Sequence, residues 1–311
     1  MYAELLRRLP IENIPYAESV PLAELTTFRI GGPAPVVIYP RNIEELTRSA
    51  SLCSRIAQDF YIIGRGSNIL AADTGLSCPV ICTRQKFSEI SINDQGILRA
   101  SAGASTDDCA KIAAQNGWAG INFMSGIPGT IGGAVIGNAG AFGAQIGDVV
   151  IEVETLSPQG EIIAFKPEQL KFSYRHSFFK ENVRIILGVT LKLSPSSVRQ
   201  LEAQRQEYLA LRSQKHVDYH KVPCAGSFFK NLITPSGERQ PAGALLEQAG
   251  CKTLHCGGAA VFDGHANIII NTGHATAEDV VFLADEMRAR VQAMFGVPLE
   301  PEVQMVGFSP L

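Results

Sequence analysis

Two glycine-rich segments contain residue types that could hold a phosphate group or a larger cofactor. The first, Gly64-Arg-Gly-Ser-Asn68, directly follows a short apolar run that predicts a strand. Two glycines, a small hydroxyl and an amide let a backbone approach a pyrophosphate closely and donate N–H groups to it. A plain tight turn would use the same residues, and the segment is neither G-x-G-x-x-G nor a Walker loop. Phosphate binding here therefore needs support from elsewhere in the chain.

The second segment supplies that support. Seven glycines occur between Gly126 and Gly143, and each costs folding entropy relative to alanine. Such a density in an ordered domain indicates a backbone that lies against a large ligand. A flexible linker is the alternative, but Ile127, Ile131 and Val135 make the segment too apolar for one. The sequence therefore favours a buried loop that holds a cofactor.

A third group has the residue types of a metal site. His216, His220 and Cys224 would share one face of a helix. Pro223 makes such a helix doubtful because proline lacks the N–H that the helix needs. No metal site is predicted, and seven cysteines without a C-x-x-C pair indicate neither a disulfide framework nor a zinc ribbon. This use of cysteine is typical of a reducing cytoplasm.

The elements that must position these segments alternate between strands and helices. The predicted strands span 36–39, 61–63, 89–92, 97–100, 149–156, 161–165, 185–193, 259–262, 268–271 and 302–306. The predicted helices span 42–57, 105–116, 198–213, 242–249 and 276–295. Residues typical of a capping box open helices at Asn42 and Thr276, and Gly117 and Gly296 end the helices at 105–116 and 276–295.

Composition excludes several classes of protein. A chain of 311 residues suits two or three domains. It is 46% hydrophobic and 18% charged, with a net charge of −3 and no block of like charge, which argues against a nucleic-acid partner. The apolar runs are far below the roughly 20 residues of a membrane helix. The first residues lack the apolar core of a signal peptide, so we expect a cytoplasmic protein without membrane insertion.

Several motifs together resemble one known family. They are Thr26-Thr-Phe-Arg-Ile-Gly-Gly32, Gly64-Arg-Gly-Ser-Asn68, Gly126-Ile-Pro-Gly-Thr-Ile-Gly-Gly-Ala134 and Asn138-Ala-Gly-Ala141. The combination resembles UDP-N-acetylenolpyruvoylglucosamine reductase, a flavoenzyme family of peptidoglycan precursor synthesis. The resemblance runs from about residue 25 to residue 307 and keeps the family's motif order.

The resemblance implies an α+β fold. Its parts would be a two-subdomain FAD-binding module of the vanillyl-alcohol-oxidase type and a C-terminal α/β substrate domain. The corresponding boundaries are an N-terminal extension at 1–24, FAD-binding subdomains at 25–85 and 86–196, and a substrate domain at 197–311. FAD would be held without a covalent bond, with NADPH as co-substrate. The implied cofactor-binding residues are Gly64, Arg65, Gly66, Ser67, Asn68, Ser125, Gly126, Ile127, Pro128, Gly129, Thr130, Gly132, Gly133 and Ala134.

The resemblance also assigns three catalytic residues. Ser227, in an A-G-S-F-F-K-N motif, would protonate the carbanionic or enolic carbon of the substrate. Arg175, in a Y-R-H-S motif, would bind the enolpyruvyl carboxylate with its planar fork of donors. The terminal L-E-P-E-V motif selects Glu302 rather than Glu300 as the acid that acts with the arginine on the enol intermediate.

Other residues match the family less completely. Asn231 and Lys215 match positions that contact the UDP part of the substrate, and the motif at 265–267 suits packing or catalysis. The chain departs from the usual family pattern at 217–220 and 250–256, so the contacts to the substrate phosphates stay open. The spacing of Arg175 and Ser227 resembles the shorter family type without an inserted tyrosine loop.

Two other functions compete with this one. An oxidase of the same FAD superfamily, acting on an alcohol or a sugar, would react rapidly with oxygen. A protein that binds a UDP-sugar or a flavin without catalysis would neither accept electrons from NADPH nor turn over. We expect small-molecule substrates and a monomer, and the sequence leaves the choice of NADPH or NADH open.

Overall fold

The computed structural model describes residues 2–56, 59–84, 87–157, 160–215, 217–233 and 238–308, apart from the side chain of Lys215. The α-helices of this part are α1 (Ala3–Ile11), α2 (Ile43–Ile56), α3 (Thr106–Gln115), α4 (Ile131–Ile136), α5 (Pro167–Leu170), α6 (Val198–Lys215), α7 (Ala242–Gln248) and α8 (Ala277–Phe295). Short 3-10 helices occur at Leu22–Glu24, Asn122–Met124, Ile146–Asp148, Phe178–Lys180 and Cys251–Thr253.

The strands are numbered along the chain. The first eleven are β1 (Tyr16–Pro21), β2 (Pro33–Ile38), β3 (Tyr61–Ile63), β4 (Ile69–Ala71), β5 (Val80–Cys82), β6 (Ile90–Ile92), β7 (Ile97–Ser101), β8 (Trp118–Ala119), β9 (Gly140–Ala141), β10 (Ala144–Gln145) and β11 (Val150–Leu156). The others are β12 (Ile162–Phe165), β13 (Ile185–Lys192), β14 (Ser194–Pro195), β15 (Cys224–Ser227), β16 (Leu232–Ile233), β17 (Arg239–Gln240), β18 (His255–Cys256), β19 (Ala259–Val261), β20 (Ile268–Asn271) and β21 (Gln304–Val306).

The chain forms two compact units, each built from separate segments. The first unit consists of residues 1–18, 35–65 and 78–211, and the second of residues 19–34, 66–77 and 212–311. The predicted extension at 1–24 and the predicted subdomain at 25–85 each contribute to both units. The predicted subdomain at 86–196 lies in the first unit, while the predicted domain at 197–311 begins in the first and continues in the second.

Two sheets frame the first unit. One has the order β1-β2-β5-β3, in which β5 pairs in parallel with β2 and with β3. The other is antiparallel, with the order β12-β11-β13-β7-β6. Their apolar side chains share one buried cluster that includes Ile38, Leu98 and Val153. Burial of this surface stabilises the unit by the hydrophobic effect.

The second unit has its own core. An antiparallel sheet with the order β15-β20-β19-β18 contacts α8, and α7 packs against α8. After α8 the chain returns, and β21 pairs in parallel with β4. Phe228 and Phe229 are both 1% exposed and belong to the same apolar cluster as Leu246 and Met287. The residues that follow Ser227 are therefore core residues of this unit.

Most predicted elements are present with small shifts at their ends. The strands at 61–63 and 268–271 have the predicted bounds. Helices α2, α3, α7 and α8 correspond to the predicted helices at 42–57, 105–116, 242–249 and 276–295. The prediction at residue 57 lies outside the described residues. The final strand is shorter than predicted and begins at Gln304, because residues 300–303 form hydrogen bonds with residues 228–230.

Three helices were missed, namely α1, α4 and the four-residue α5. In α1, Leu5 and Leu9 are both fully buried on one face, but Pro10 and the lack of a side-chain cap hide the helix. In α4, two glycines lower the helix propensity of a six-residue segment. Its helix is stabilised by tertiary packing, because Ile131 and Val135 are fully buried.

Three further observations limit the chemistry. In the part of the chain that the structure covers, no helix is long and apolar enough to cross a membrane. Those residues also contain no cluster of three or more His, Cys, Asp or Glu side chains that could hold a metal ion; His216 lies outside them. The cysteines are thiols, and burial raises the pKa of Cys53 and of Cys109 to about 12, which keeps them protonated.

Candidate active site

The two glycine segments meet in the first unit. Gly64 follows β3, and a Cβ atom at its position would lie 2.6 Å from Thr130 Oγ1. Thr130 is the N-cap residue of α4 and accepts a hydrogen bond from the Gly133 N–H at 3.3 Å. A side chain at position 64 would require the Thr130 side chain to shift. The two loops predicted to hold one cofactor are thus neighbours at Gly64 and Thr130.

Hydrogen bonds within the protein hold much of the second glycine segment in place. Many of its N–H groups donate within the protein, among them Gly126 to Asp107, Ile127 to Met124, Ile131 to Ala104, Gly132 to Ala102 and Gly133 to Thr130. These N–H groups already have acceptors within the protein. The segment would instead contact a cofactor through the close approach of its backbone.

One face of α4 fits a large ligand. Gly133 and Gly137 are one turn apart, and Cβ atoms there would lie 3.4 Å from Thr130 Oγ1 and 3.7 Å from Gly133 O, with nothing closer. In the preceding 3-10 helix, Asn122 is 5% exposed, and its Oδ1 accepts no hydrogen bond from the described residues. A buried acceptor of this kind requires a donor from a ligand or a water. The open glycine face of α4 leaves room for the close approach of FAD, and Asn122 Oδ1 is a separate buried acceptor in the preceding 3-10 helix.

An ion pair between the half-buried Asp107 and the buried Arg205 fixes the start of this segment. Asp107 accepts from the Gly126 N–H at 2.7 Å and from both terminal nitrogens of Arg205 at 2.6 and 3.0 Å. Arg205 lies on α6 and is 8% exposed. Burial raises the pKa of Asp107, but the hydrogen bonds from Arg205 and Gly126 outweigh it, so that this pKa lies below its ordinary value. The pair ties α6 to the loop that precedes α4.

Replacing Arg205 with methionine should lower the free energy of unfolding by about 1–3 kcal/mol at neutral pH, because Asp107 loses its partner. The depressed pKa of Asp107 stabilises the native protein above the unfolded-state pKa, and that stability is lost as pH falls through the folded-state pKa. The difference between the two proteins should therefore shrink in acid. Urea unfolding at about pH 7 and about pH 3 measures it.

A matched control is Arg288→Met. Arg288 pairs with Asp285 at 3.1 Å on the exposed surface of α8, where an ion pair contributes at most about 1 kcal/mol. A loss as large for this variant as for Arg205→Met, or a difference independent of pH, would contradict the role of the buried pair.

Arg175 occupies a tight turn of the first unit. Ser173 and His176 exchange two backbone hydrogen bonds of 3.1 Å, so Tyr174 and Arg175 form the tip. Arg175 has φ +55°, a left-handed conformation that this position of a turn normally gives to glycine or asparagine. A non-glycine residue there costs about 1–2 kcal/mol. The Arg175 guanidinium lies 5.3 Å from the Tyr174 ring centroid.

The second half of the first glycine loop belongs to the second unit. Gly66 has φ +60°, and a Cβ atom there would lie 2.4 Å from Leu25 O. The Thr27 N–H donates to Gly66 O at 3.2 Å, and the Thr27 hydroxyl donates to Cys224 O at 2.7 Å. The motif at 26–32 therefore joins the loop at 66–68 to the beginning of β15.

Ser227 lies at the end of β15, after a bulge. Cys224 pairs with Ile270 and Ser227 with Ile268, so two residues of β15 face one of β20. Gly226, with φ +75°, provides the left-handed conformation that the bulge requires. Ser227 is half-buried. The bulge sets the direction of its side chain, because a shift of one residue turns a strand residue to the opposite face.

The chain beyond Ser227 is fastened to the segment that contains Glu302. The Glu302 N–H donates to Phe228 O at 2.7 Å, and the Lys230 N–H donates to Glu300 O at 2.9 Å. The Asn68 amide donates to Glu302 O at 3.0 Å. The structure thus brings together Ser227, Glu302 and Asn68, whose positions in the sequence are far apart.

The two acids of the terminal motif differ in surroundings. The Glu300 carboxylate is paired with Lys230 at 2.9 Å, and its side chain is 72% exposed. Glu302 is half-buried and lies between two backbone contacts, to Phe228 and to Asn68. This arrangement supports the choice of Glu302 from the register of the motif.

The weaker assignments have structural partners. Asn231 Oδ1 accepts from the Ala242 N–H at 3.1 Å and so caps the start of α7. Asn267 is 2% exposed and clamps Phe229 through two hydrogen bonds, of 2.9 and 2.8 Å. The motif at 265–267 therefore has a positioning role for the Ser227 segment. The side chain of Lys215 lies outside the described residues.

Replacing Gly226 with alanine should destabilise the protein by about 1–2 kcal/mol through its left-handed φ. No atom lies within 4 Å of the added Cβ, so the cost comes from the backbone and not from a clash. Relaxation of the bulge would also turn Ser227, so substrate turnover should fall. Gly250→Ala is the matched control, since Gly250 has φ +70° and an equally open Cβ position. Equal loss of turnover in both variants would contradict the role of the bulge.

Sequence reasoning missed the residues that hold the assigned ones. Asp107 and Arg205 are ordinary polar residues until the fold pairs them. The signal for Asn267 was its position in a motif, but its clamp on Phe229 spans 38 positions of the chain. Such pairings leave no local pattern.

These features define a flavin-binding oxidoreductase with an additional C-terminal domain. Residues 34–166 match the family model described as "FAD binding domain", and residues 216–306 match "UDP-N-acetylenolpyruvoylglucosamine reductase, C-terminal domain". The predicted α+β fold class, with its FAD-binding module, is confirmed.

Comparison with known proteins identifies the family. The chain is 36% identical over 308 residues, 99% of either chain, to UDP-N-acetylenolpyruvoylglucosamine reductase of Syntrophomonas wolfei. It is 38% identical to that of a Synechococcus species, over 93% of this chain and 90% of the relative. The reductase structure from Thermus caldophilus superposes with a TM-score of 0.77 and 31% identity, covering 94% of this chain and 98% of the other. The chain belongs to the UDP-N-acetylenolpyruvoylglucosamine reductase family.

Proposed function

We propose that this protein uses NADPH and FAD to reduce UDP-N-acetylglucosamine enolpyruvate to UDP-N-acetylmuramate, a step in the synthesis of peptidoglycan precursors. The observation that carries the proposal is the fastening of the Ser227 segment to Glu302 through the Glu302 N–H and Phe228 O. Family membership supports the choice of substrate. We also propose that the protein acts in the cytoplasm as a monomer, on small-molecule substrates.

The reaction sets three demands. Bound FAD supplies the hydride chemistry. When the terminal CH₂ carbon of the enolpyruvyl group takes hydride, negative charge spreads from the adjacent carbon into the carboxylate, and the protein must stabilise it. The protein must also deliver a proton to that adjacent carbon. An arginine, a carboxylic acid and a hydroxyl are side chains suited to these tasks.

Arg175 binds the carboxylate of the enolpyruvyl group. Its planar guanidinium can donate two parallel hydrogen bonds to both carboxylate oxygens. The left-handed turn at Ser173–His176 holds the residue away from an ordinary extended conformation. Charge on the carboxylate grows as the reaction proceeds, so this interaction strengthens towards the transition state.

Ser227 delivers the proton, and Glu302 supports the enol form. A serine hydroxyl is a weak acid and serves here because the carbon it protonates is strongly basic. Glu302, when protonated, donates a hydrogen bond to the substrate carboxylate. The half-buried position of both side chains restricts the water that could compete for the proton.

An anaerobic titration tests this function. The purified protein should carry, or take up, a yellow flavin that bleaches with NADPH and recovers when UDP-N-acetylglucosamine enolpyruvate is added. NADH in a parallel sample compares the two nicotinamide donors. Recovery with oxygen alone would favour an oxidase, and a protein that never bleaches would favour a binding protein without catalysis. A protein that cannot be loaded with FAD would refute the proposal.

A further inference from the structure

The last turn of α4 ends on an asparagine whose backbone would suit glycine. The Asn138 N–H donates to Val135 O and the Ala139 N–H donates to Ala134 O, at 3.2 and 2.8 Å. This pair of bonds is the Schellman arrangement that ends a helix, and it places Asn138 in the left-handed region, with φ +43°. Glycine is the usual residue at that position. An asparagine there indicates that the side chain has its own task.

The Asn138 side chain is 1% exposed and makes three hydrogen bonds. Its Nδ2 donates to Ser173 O at 2.8 Å and to Gln145 Oε1 at 2.9 Å. Its Oδ1 accepts from the Gly147 N–H at 3.0 Å. Ser173 O also accepts the His176 N–H that closes the Arg175 turn. Asn138 is therefore one hydrogen bond away from the turn that carries Arg175.

A second bond holds the other end of the same turn. Ser177 is fully buried, and its hydroxyl donates to Ile136 O at 2.8 Å. Both anchors, Asn138 and Ser177, fasten the turn to the C-terminal end of α4. The N-terminal end of α4 is the capped end at Thr130, against Gly64. One short helix thus connects the glycine segments to the arginine turn.

We propose that Asn138 is a positioning residue that sets the place of the Arg175 guanidinium relative to the flavin-binding segment. The inference rests on the proposed function, because it gives Arg175 the substrate carboxylate to bind. The strained φ of Arg175 makes an anchor necessary. A turn with a non-glycine residue in the left-handed region relaxes when the hydrogen bonds that hold it are removed. The hydrogen bond from Asn138 to Ser173 O opposes that relaxation.

The test is Asn138→Gly, which removes the side chain but suits the left-handed backbone, so the protein should still fold. The dissociation constant of UDP-N-acetylglucosamine enolpyruvate, measured by its effect on reoxidation of the reduced protein, should rise about tenfold to a hundredfold. The rate of flavin reduction by NADPH should stay unchanged. Ser177→Ala removes the other anchor and should give the same split between the two half-reactions.

Asn116→Gly is the control. Asn116 ends α3 on the exposed surface of the same unit and donates to Ile112 O at 2.8 Å. Its loss removes an amide hydrogen bond without touching the arginine turn, so both half-reactions should match those of the unchanged protein.

A double-mutant cycle with Arg175→Ala separates positioning from a general structural role. If Asn138 acts through Arg175, Asn138→Gly should add little to the loss of substrate affinity that Arg175→Ala causes alone. Fully additive losses, or equal slowing of both half-reactions, would overturn the inference and leave the proposed function standing. If Arg175→Ala alone leaves substrate affinity unchanged, the role proposed for Arg175 fails, and the inference fails with it.

Discussion

Replacing Ser227 with alanine should leave the reduction of bound flavin by NADPH intact and slow its reoxidation by the enolpyruvyl substrate about 10²- to 10⁴-fold. The hydroxyl is required only when the substrate carbon takes its proton, which follows flavin reduction. Loss of one oxygen atom from a half-buried side chain should hardly affect the fold, because Phe228 and Phe229 keep the segment in the core. Anaerobic stopped-flow absorbance measures the two half-reactions separately.

Ser51→Ala is a simple control, because Ser51 lies on the exposed surface of α2. Its two half-reactions should equal those of the unchanged protein. If Ser227→Ala slows both half-reactions equally, damage to the fold explains the loss and the serine is not the proton donor. Reoxidation at the normal rate would assign the proton to another group.

Local signals in the sequence predicted several helix starts. The Asn42 side chain accepts from the Glu45 N–H at 2.9 Å, Ser105 from Asp108 at 3.3 Å and Thr276 from Asp279 at 3.0 Å. Each cap involves residues three positions apart, so the residue types alone reveal it. The same holds for Gly296, whose φ of +69° ends α8. Structure that depends on near neighbours was therefore predictable.

Pairings between distant segments were not predictable. The parallel pairing of β4 with β21 joins Ile69 to Gln304, and no local pattern specifies that partner. The same pairing brings residues 66–77 into the second unit. A division of the chain into consecutive domains cannot describe such a unit. Contacts between distant segments depend on how whole buried surfaces fit together. A sequence motif describes only one of the two segments in such a contact.

The candidate site shows the same division. The motif around Ser227 identified the residue, but the bulge at Gly226 that orients it is a property of the pairing with β20. The glycine density at 126–143 indicated a ligand, and the structure shows that Ala102 also comes within 3.0 Å of a Cβ at Gly132. Glycines that serve internal packing and glycines that face a ligand look identical in a sequence.

Replacing Glu302 with alanine should lower the rate of substrate reduction about 10²- to 10³-fold, because a group that stabilises charge in the transition state is lost. Glu302→Gln should retain more activity than Glu302→Ala, since an amide can still donate a hydrogen bond to the substrate carboxylate. Flavin reduction by NADPH should be unaffected in both variants. The comparison of kcat under saturating substrate measures the difference.

Glu300→Ala is the control that tests the choice of Glu302 over Glu300. Glu300 differs from Glu302 by two positions in the same motif, but its carboxylate pairs with Lys230 at 2.9 Å and its side chain is 72% exposed. An exposed pair of this kind contributes little, so its loss should leave kcat nearly unchanged. The Glu302 backbone, in contrast, is held by Phe228 O and by the Asn68 amide, next to the Ser227 segment. If Glu300→Ala abolishes turnover and Glu302→Ala does not, the register that selects Glu302 is wrong, and with it the pairing of this acid with Ser227.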